Sequence, residues 1–230
     1  SMKQRPQDPQ ELRNAFYRDL TTLPHDALHD DLRRVCDVWR AATEADWVWL
    51  WAHNPYARLY ELAGYSAKGE PGPVWQEILP VEAPQAARAT PAGDDQGIGH
   101  LASRMASPVH QAGIPSDWSE EWRGNRYTVL LHQPMEKLGC RDMTYVPLLG
   151  PNSKNGQLDD VISFHYREGS ARPRHDDVDL LAMGRITARL IEDAQVAKQA
   201  KVDSELRQLA DSLATTVVRH RLDGYLRGLI

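Results

Sequence analysis

Cysteine and phenylalanine are both scarce in this chain of 230 residues, which contains two of each. The two cysteines, Cys36 and Cys140, cannot make a disulfide framework, and neither belongs to a CxxC or Cys/His spacing typical of zinc. They predict two isolated, buried thiols in a reduced setting, so we expect a cytoplasmic protein. Seven tryptophans against two phenylalanines indicate that indole rings do much of the aromatic packing.

The sequence also lacks an excess of positive charge and any long apolar run. Its formal net charge is −5 and its pI about 6.0, so a broad basic surface for nucleic acid is not expected. No apolar stretch approaches the roughly 18 residues of a membrane helix, and no signal peptide is visible. The length suits one large domain or two small ones with a sizeable core. We therefore expect neither a membrane partner nor a nucleic-acid partner.

Periodicity predicts two helices near the start of the chain, over residues 9–20 and 23–45, and then a strand. Trp47, Trp49 and Trp51 alternate with apolar residues of the opposite face. A strand that is apolar on both faces is covered on both sides, so we expect it at the centre of a sheet. Residues 57–66 predict the second strand of an antiparallel hairpin.

The middle of the chain is less regular. Residues 83–95 are rich in Ala, Pro, Gly and Asp and predict a loop, and residues 113–126 form an irregular segment with two tryptophans. Between them, helical spacing of apolar residues predicts a helix with the members Ile98, Leu101, Met105 and Val109.

The second half begins with "LHQPMEKLGCRDMTYVPLLG", residues 131–150. It predicts a helix that ends at Gly139 and a strand from Met143 to Leu149, with Pro147 where its missing N–H is not needed. A second strand is expected within residues 159–168, and then a long helix. A short heptad pattern continues that helix, with the members Val202, Leu206, Leu209, Leu213 and Thr216.

Together these elements predict an α+β domain. Its central antiparallel sheet carries the N- and C-terminal helices on one face.

Four segments in this order resemble the GAF domain family. They are "EADWVWLWAHNPYARLYELAGYS", "GIGHLASRMASPVH", "EKLGCRDMTYVPLLG" and the stretch from "GQLDDVISFHYREG" to "LIEDAQ". The resemblance predicts a GAF-like domain over residues 26–197, with loops and short helices over the sheet face opposite the terminal helices. It is preceded by an N-terminal segment and helix, 1–25, and followed by a helical tail, 198–230, for dimerisation or for a link to an output domain.

The resemblance implies a non-enzymatic sensory or regulatory module that binds a small ligand. Such a module would signal through its terminal helices in a homodimer, to a fused or separate output domain. A ligand-free protein-interaction and dimerisation domain is the alternative. Cys140 is followed by Arg141 rather than by the usual His, which argues against a bilin. The Asn-Lys-Phe-Asp-Glu signature of cyclic-nucleotide binders is missing, yet haem and nucleotides stay open as ligands.

Nine residues are candidates for the ligand site, because pockets favour aromatic walls with a few polar groups. The alternatives stay open for each: tryptophans can fill a core that has little Phe, histidines can be structural, and arginines can form exposed ion pairs. His165 alternates with Phe164 and Tyr166, which predicts a half-buried side chain. No catalytic residue and no metal site is assigned. The candidates are Trp49, His100, Arg104, Trp118, Trp122, Tyr127, His132, Tyr145 and His165.

Overall fold

A computed structural model describes residues 8–54, 59–68, 89–91, 105–112, 139–154, 158–170 and 175–227. Its helices are α1 (Pro9–Thr21), α2 (His25–His29), α3 (Arg33–Thr43) and α4 (Asp177–Arg227). Its strands are β1 (Trp47–Asn54), β2 (Leu59–Ala67), β3 (Ala89–Pro91), β4 (Val109–Ala112), β5 (Cys140–Pro147) and β6 (Val161–Arg167). The chain divides into two compact units, Ser1–Ile191 and Glu192–Ile230.

The six strands form one antiparallel sheet in the order β3-β2-β1-β6-β5-β4. Strand β1 lies between β2 and β6, which confirms the central position predicted from its apolar residues. Across the β1–β6 pair, Trp47 lies opposite His165 and Trp49 opposite Ser163. The strand register therefore places a set of mostly aromatic and polar residues on one side of the sheet, here called the tryptophan face. Its residues are Trp47, Trp49, Trp51, Met143, Tyr145, Ser163 and His165.

The other side, the helix face, is the main apolar core. Its buried strand residues include Val48, Leu50, Val146, Ile162 and Phe164. The indole of Trp39, on α3, stacks on Phe164 with ring centroids 6.4 Å apart, and Phe16 of α1 meets the same indole edge-on at 5.1 Å. Helices from both ends of the chain thus cover one face of an antiparallel sheet, which confirms the α+β fold class.

Two glycines allow the helices to approach the strands. A Cβ atom at Gly64 of β2 would lie 2.8 Å from the Leu32 carbonyl oxygen, and one at Gly184 of α4 would lie 2.8 Å from the Pro147 carbonyl oxygen. Both separations are shorter than a Cβ atom tolerates, so a larger residue at either position would push the backbones apart.

Helix α1 begins where the sequence predicts. Asp8 is its N-cap, with the carboxylate accepting a hydrogen bond from the Gln10 backbone N–H at 3.0 Å, and Pro9 occupies the first helical position.

The second predicted helix is wrong as one continuous element, because α2 ends at His29 and α3 begins at Arg33. The backbone N–H groups of Asp30 and Asp31 both donate to the Asp26 carbonyl, which ends the regular helical ladder. The break places the backbone of Leu32 against Gly64 of the sheet. A continuous apolar stripe hides this break, since the residues on both sides of it still face the core.

Two expectations for the middle of the chain are also wrong. Residues 89–91, expected in a loop, form β3 and pair with Leu59–Glu61 of β2. Val109, expected on a helix, lies in β4 opposite Tyr145. Ala106, in the left-handed conformation at φ 48°, separates the helical residue Met105 from that strand. Pro91 is tolerated because β3 is at the edge of the sheet, where a missing N–H costs nothing.

The long helix and the heptad tail are one continuous helix of 51 residues, α4. Strand β5 runs from Cys140 to Pro147, so it begins and ends earlier than predicted. Gly139 has a positive φ of +69°, which a glycine adopts readily, and the helix predicted before it lies outside the described residues. No helix in the described part of the chain is long and apolar enough to span a bilayer.

Candidate functional site

Three of the nine candidate residues lie in described segments, and all three are on the tryptophan face. Trp49 comes from β1, Tyr145 from β5 and His165 from β6. The other six lie outside the described residues: His100, Arg104, Trp118, Trp122, Tyr127 and His132.

Two of the three, Trp49 and Tyr145, pack against the imidazole of the third, His165. The Trp49 ring centroid lies 4.7 Å from that of His165, at an interplanar angle of 42°. Tyr145 approaches the same imidazole edge-on, with centroids 6.0 Å apart. Trp51 stands edge-on to Trp49 at 6.0 Å. Tyr145 and His165 thus form one aromatic cluster with Trp49, although they are 96 and 116 positions away from it in the sequence. Their role in binding a ligand stays a prediction.

His165 is fully buried, with 1% of its surface exposed, so the prediction of a half-buried side chain is wrong. Phe164 and Tyr166 point to the helix face, whereas His165 points into the tryptophan face. Its Nε2 lies 3.0 Å from the Ser163 hydroxyl, and its Nδ1 lies 3.8 Å from the Cys140 sulfur. Burial lowers the pKa of His165 to about 3, so the imidazole is neutral at physiological pH.

Cys140 is buried, as the sequence predicts, but it is not isolated, since His165 lies beside it. Burial, with a smaller contribution from the Asp46 charge, raises the pKa of the Cys140 thiol to about 12. A nucleophilic cysteine needs the opposite arrangement, a thiolate stabilised by a protonated histidine. This pair is therefore a neutral thiol beside a neutral imidazole, and it is unsuited to nucleophilic attack.

Tyr145 supplies a neutral hydroxyl to the same region. Its O–H points to the Met143 thioether sulfur at 3.7 Å, a weak acceptor. Burial, and next the neighbouring Cys140, raises the pKa of Tyr145 above its ordinary value. The hydroxyl is therefore a hydrogen-bond donor in an apolar setting rather than a base.

A positive charge lies at one end of the tryptophan face. The guanidinium of Arg167, at the end of β6, is 4.7 Å from the centre of the Trp47 ring, within cation–π distance. The Arg167 backbone N–H donates to the Asp46 carboxylate at 2.8 Å, which fixes the end of the strand. Within the described ranges, no three or more His, Cys, Asp and Glu side chains are arranged to hold a metal ion.

Sequence reasoning missed Cys140, Ser163 and Met143 as neighbours of His165. Ser163 could have been predicted as a neighbour of His165, because residues two apart on a strand share a face. The positions of Cys140 and Met143 depend on the β5–β6 register, which includes a bulge between Cys140 and Asp142. Nothing local in the sequence indicates that bulge.

No protein-family model matches this chain, and no curated protein matches it either. Solved structures do. The GAF domain of a phosphoenolpyruvate-protein phosphotransferase from Coxiella burnetii is 14% identical, with a TM-score of 0.50 over 85% of this chain and 97% of that domain. The GAF domain of an Acinetobacter phosphoenolpyruvate-protein phosphotransferase is 10% identical, with a TM-score of 0.51 over 83% of this chain and 97% of that domain.

These similarities show the fold. The chain has a GAF-like α+β fold, as the order of the four sequence segments predicts. At such low identity the comparison carries no residue roles, so function is argued from the site itself.

Proposed function

We propose that this chain is a sensory or regulatory GAF-type module that binds a small ligand on the tryptophan face. The observation that carries the proposal is the convergence of Trp49, Tyr145 and His165 on the sheet face opposite the helices. A buried, mostly apolar wall with a few neutral hydrogen-bonding groups is typical of a small-molecule site. The proposed domain covers residues 26–197, with 1–25 before it and the helical tail 198–230 after it.

The described contacts suggest how a ligand would act on the terminal helices. His110 of β4 connects the sheet to the start of α4, with Nδ1 3.0 Å from the Thr144 hydroxyl and Nε2 2.7 Å from an Asp177 carboxylate oxygen. Thr144 is adjacent to Tyr145 on β5, and Gly184 packs on Pro147 at the end of that strand. A ligand that displaces β5 would therefore move the first turns of α4.

We propose that the signal passes along α4 in a homodimer to a fused or separate output domain. The module is proposed to be non-enzymatic, since the Cys140–His165 pair lacks the charges of a nucleophilic site. It is proposed to be cytoplasmic, since both cysteines are free thiols. Haem and nucleotides remain the cofactor classes to test.

The second candidate function is a ligand-free protein-interaction and dimerisation domain. The exposed apolar residues of the second unit favour it: Val202 is 39% exposed, and Leu206, Leu209 and Leu213 are each 57–58% exposed. Apolar side chains in regular helical spacing are usually covered by a partner.

One experiment separates the two functions. The protein is purified from cells, and its absorption spectrum and native mass are recorded together. A Soret band, or an excess mass that disappears on denaturation, is expected for a ligand-binding module. His165→Asn should then lower the bound fraction, while His220→Asn, on an exposed position of α4, should leave it unchanged.

A colourless protein at twice the chain mass gives the opposite result. If its thermal midpoint also stays the same with haem and with a set of nucleotides, the ligand-free dimerisation domain is the better description.

A further inference from the structure

We propose that Cys140, Met143 and His165 form a binding site for one soft monovalent metal ion, of which Cu(I) fits best. Met143 and His165 lie directly opposite each other on the tryptophan face, and Cys140 lies opposite Arg167, two positions from His165 along β6. They provide a thiol, a thioether and an imidazole, the donor types that select Cu(I) in proteins.

The distance between the first two donors suits joint coordination. Cys140 Sγ and His165 Nδ1 are 3.8 Å apart. With bonds as long as those of zinc, about 2.3 Å to sulfur and about 2.05 Å to nitrogen, this separation gives an angle of about 120° at the metal. That is a three-coordinate, trigonal angle, so a third donor completes the site.

Met143 is placed to be that third donor. It lies directly across from His165 in the β5–β6 register, and directly opposite residues have Cβ atoms about 4.5–5.5 Å apart. Its thioether already accepts a weak hydrogen bond from the Tyr145 hydroxyl, which holds the sulfur on this face of the sheet. The site has one Cys and one His, so the thioether is needed as its third ligand.

Ser163 orients the imidazole. The Ser163 hydroxyl is 3.0 Å from Nε2 and can accept its hydrogen, which leaves the Nδ1 lone pair directed at Cys140. Metal-binding histidines characteristically donate their second N–H to such a partner, and the partner fixes both tautomer and ring orientation.

Charge balance favours a monovalent ion over zinc. When the metal binds, the Cys140 S–H bond breaks, the sulfur–metal bond forms and one proton leaves to solvent. Cu(I) with one thiolate, a neutral imidazole and a thioether has no net charge, which suits a buried aromatic face. Zn(II) in the same ligands would leave one uncompensated positive charge in the interior, and thioethers are poor zinc ligands.

The residues on either side of Cys140 in the sequence are exposed. Cys140 follows the exposed Gly139 and precedes Arg141, whose side chain is 58% exposed. Cys140 itself is buried, with 2% of its surface exposed, so an ion enters only when the start of β5 opens locally. The inference uses the face that the proposed function assigns to a small ligand, but it does not require signalling or an organic ligand.

The test is an anaerobic titration of the full chain with Cu(I) in competition with the chromogenic chelator bicinchoninate. The wild-type protein is expected to withdraw one equivalent of Cu(I) and to gain a thiolate-to-copper absorption in the ultraviolet. Cys140→Ser should lower the affinity by about 100-fold or more, because the anionic sulfur is lost. Ser163→Ala should lower it by about 10-fold through the imidazole orientation.

The chain offers a matched control in its other buried cysteine. Cys36→Ser, on helix α3, should bind Cu(I) as the wild type does. Met143→Leu keeps the apolar volume and should weaken binding, which supplies a second variant if Cys140→Ser does not fold. Circular dichroism verifies folding of every variant.

Three outcomes would overturn the inference: wild-type affinity in Cys140→Ser, an equal loss in Cys36→Ser, or tighter binding of Zn(II) than of Cu(I) in the same assay. None of these would affect the proposed organic ligand, because that proposal is tested by an absorption band of the ligand and by an excess native mass larger than that of one copper ion. Conversely, a protein without a co-purified ligand can still bind Cu(I).

Discussion

The indole N–H of Trp39 donates a hydrogen bond to the Thr187 hydroxyl at 3.1 Å, joining α3 to α4 inside the core. Both residues are completely buried. The Thr187 hydroxyl in turn donates to the Met183 carbonyl of its own helix at 2.8 Å. One polar contact therefore fixes the positions of two helices that are otherwise packed through apolar side chains.

Thr187→Val should destabilise the protein by about 1–3 kcal/mol, because it leaves the buried Trp39 N–H without its acceptor. Urea unfolding followed by tryptophan fluorescence measures the change. Thr215→Val is the matched control, since Thr215 also donates to the carbonyl four residues earlier but is exposed, and its effect should stay within about 0.5 kcal/mol. Equal effects of the two substitutions would show that the hydrogen bond between Trp39 and Thr187 does not stabilise the protein.

Gly184→Ala and Gly224→Ala should change stability in opposite directions, although both are Gly-to-Ala substitutions in α4. The new methyl at position 184 would meet the Pro147 carbonyl oxygen at 2.8 Å and a Val146 methyl at 3.2 Å, so a loss of about 1–3 kcal/mol is expected. At position 224 no atom lies within 4 Å, and the gain in helix propensity is up to about 1 kcal/mol. Thermal melting followed by circular dichroism measures both changes in stability. A stabilised Gly184→Ala protein would contradict the close contact between Gly184 and Pro147.

His165 should make the protein less stable as the pH falls from about 6.5 towards 3. Burial lowers its pKa from 6.5 to about 3, so in this window the unfolded chain binds a proton that the folded chain does not. From this group alone, the free energy of unfolding should drop by about 2 kcal/mol between pH 7 and pH 5. His53 and His175, whose pKa burial also lowers, act in the same direction.

A comparison of variants isolates the contribution of His165. Urea unfolding at pH 7 and pH 5 should show a shallower pH dependence in His165→Gln than in the wild type. His220→Gln, at an exposed position, should retain the wild-type slope. An unchanged slope in His165→Gln would mean that the imidazole does not titrate differently in the folded and unfolded chains.

The central features of the fold could be predicted because they depend on local periodicity. Trp47, Trp49 and Trp51 alternate with apolar residues in a way that only a doubly covered strand explains, and β1 is indeed central. Asp8 and Pro9 start α1 for purely local reasons. The GAF-like fold follows from the order of such elements.

The wrong predictions have tertiary causes. Residues 89–91 become a strand because β2 offers an edge, and their own composition favours a loop. The break at Asp30–Leu32 brings Leu32 against Gly64, a contact that is distant in sequence. For the site, residue type alone indicated Trp49, Tyr145 and His165. Cys140 and Met143 became neighbours of His165 only through the β5–β6 register.

The apolar side of the second unit gives the sharpest test of self-association. Val202, Leu206, Leu209 and Leu213 alternate at spacings of four and three along α4, which is the spacing of a two-stranded coiled coil. Replacing Leu206 and Leu213 by Asp would bury charges in such an interface, so a folded monomer is expected in multi-angle light scattering. The control adds the same charges at Ser204 and Thr215, about 200° around the helix, and should remain a dimer. A dimer in both double variants would show that the chain associates elsewhere, and a monomeric wild type would show that this side of α4 does not associate with itself.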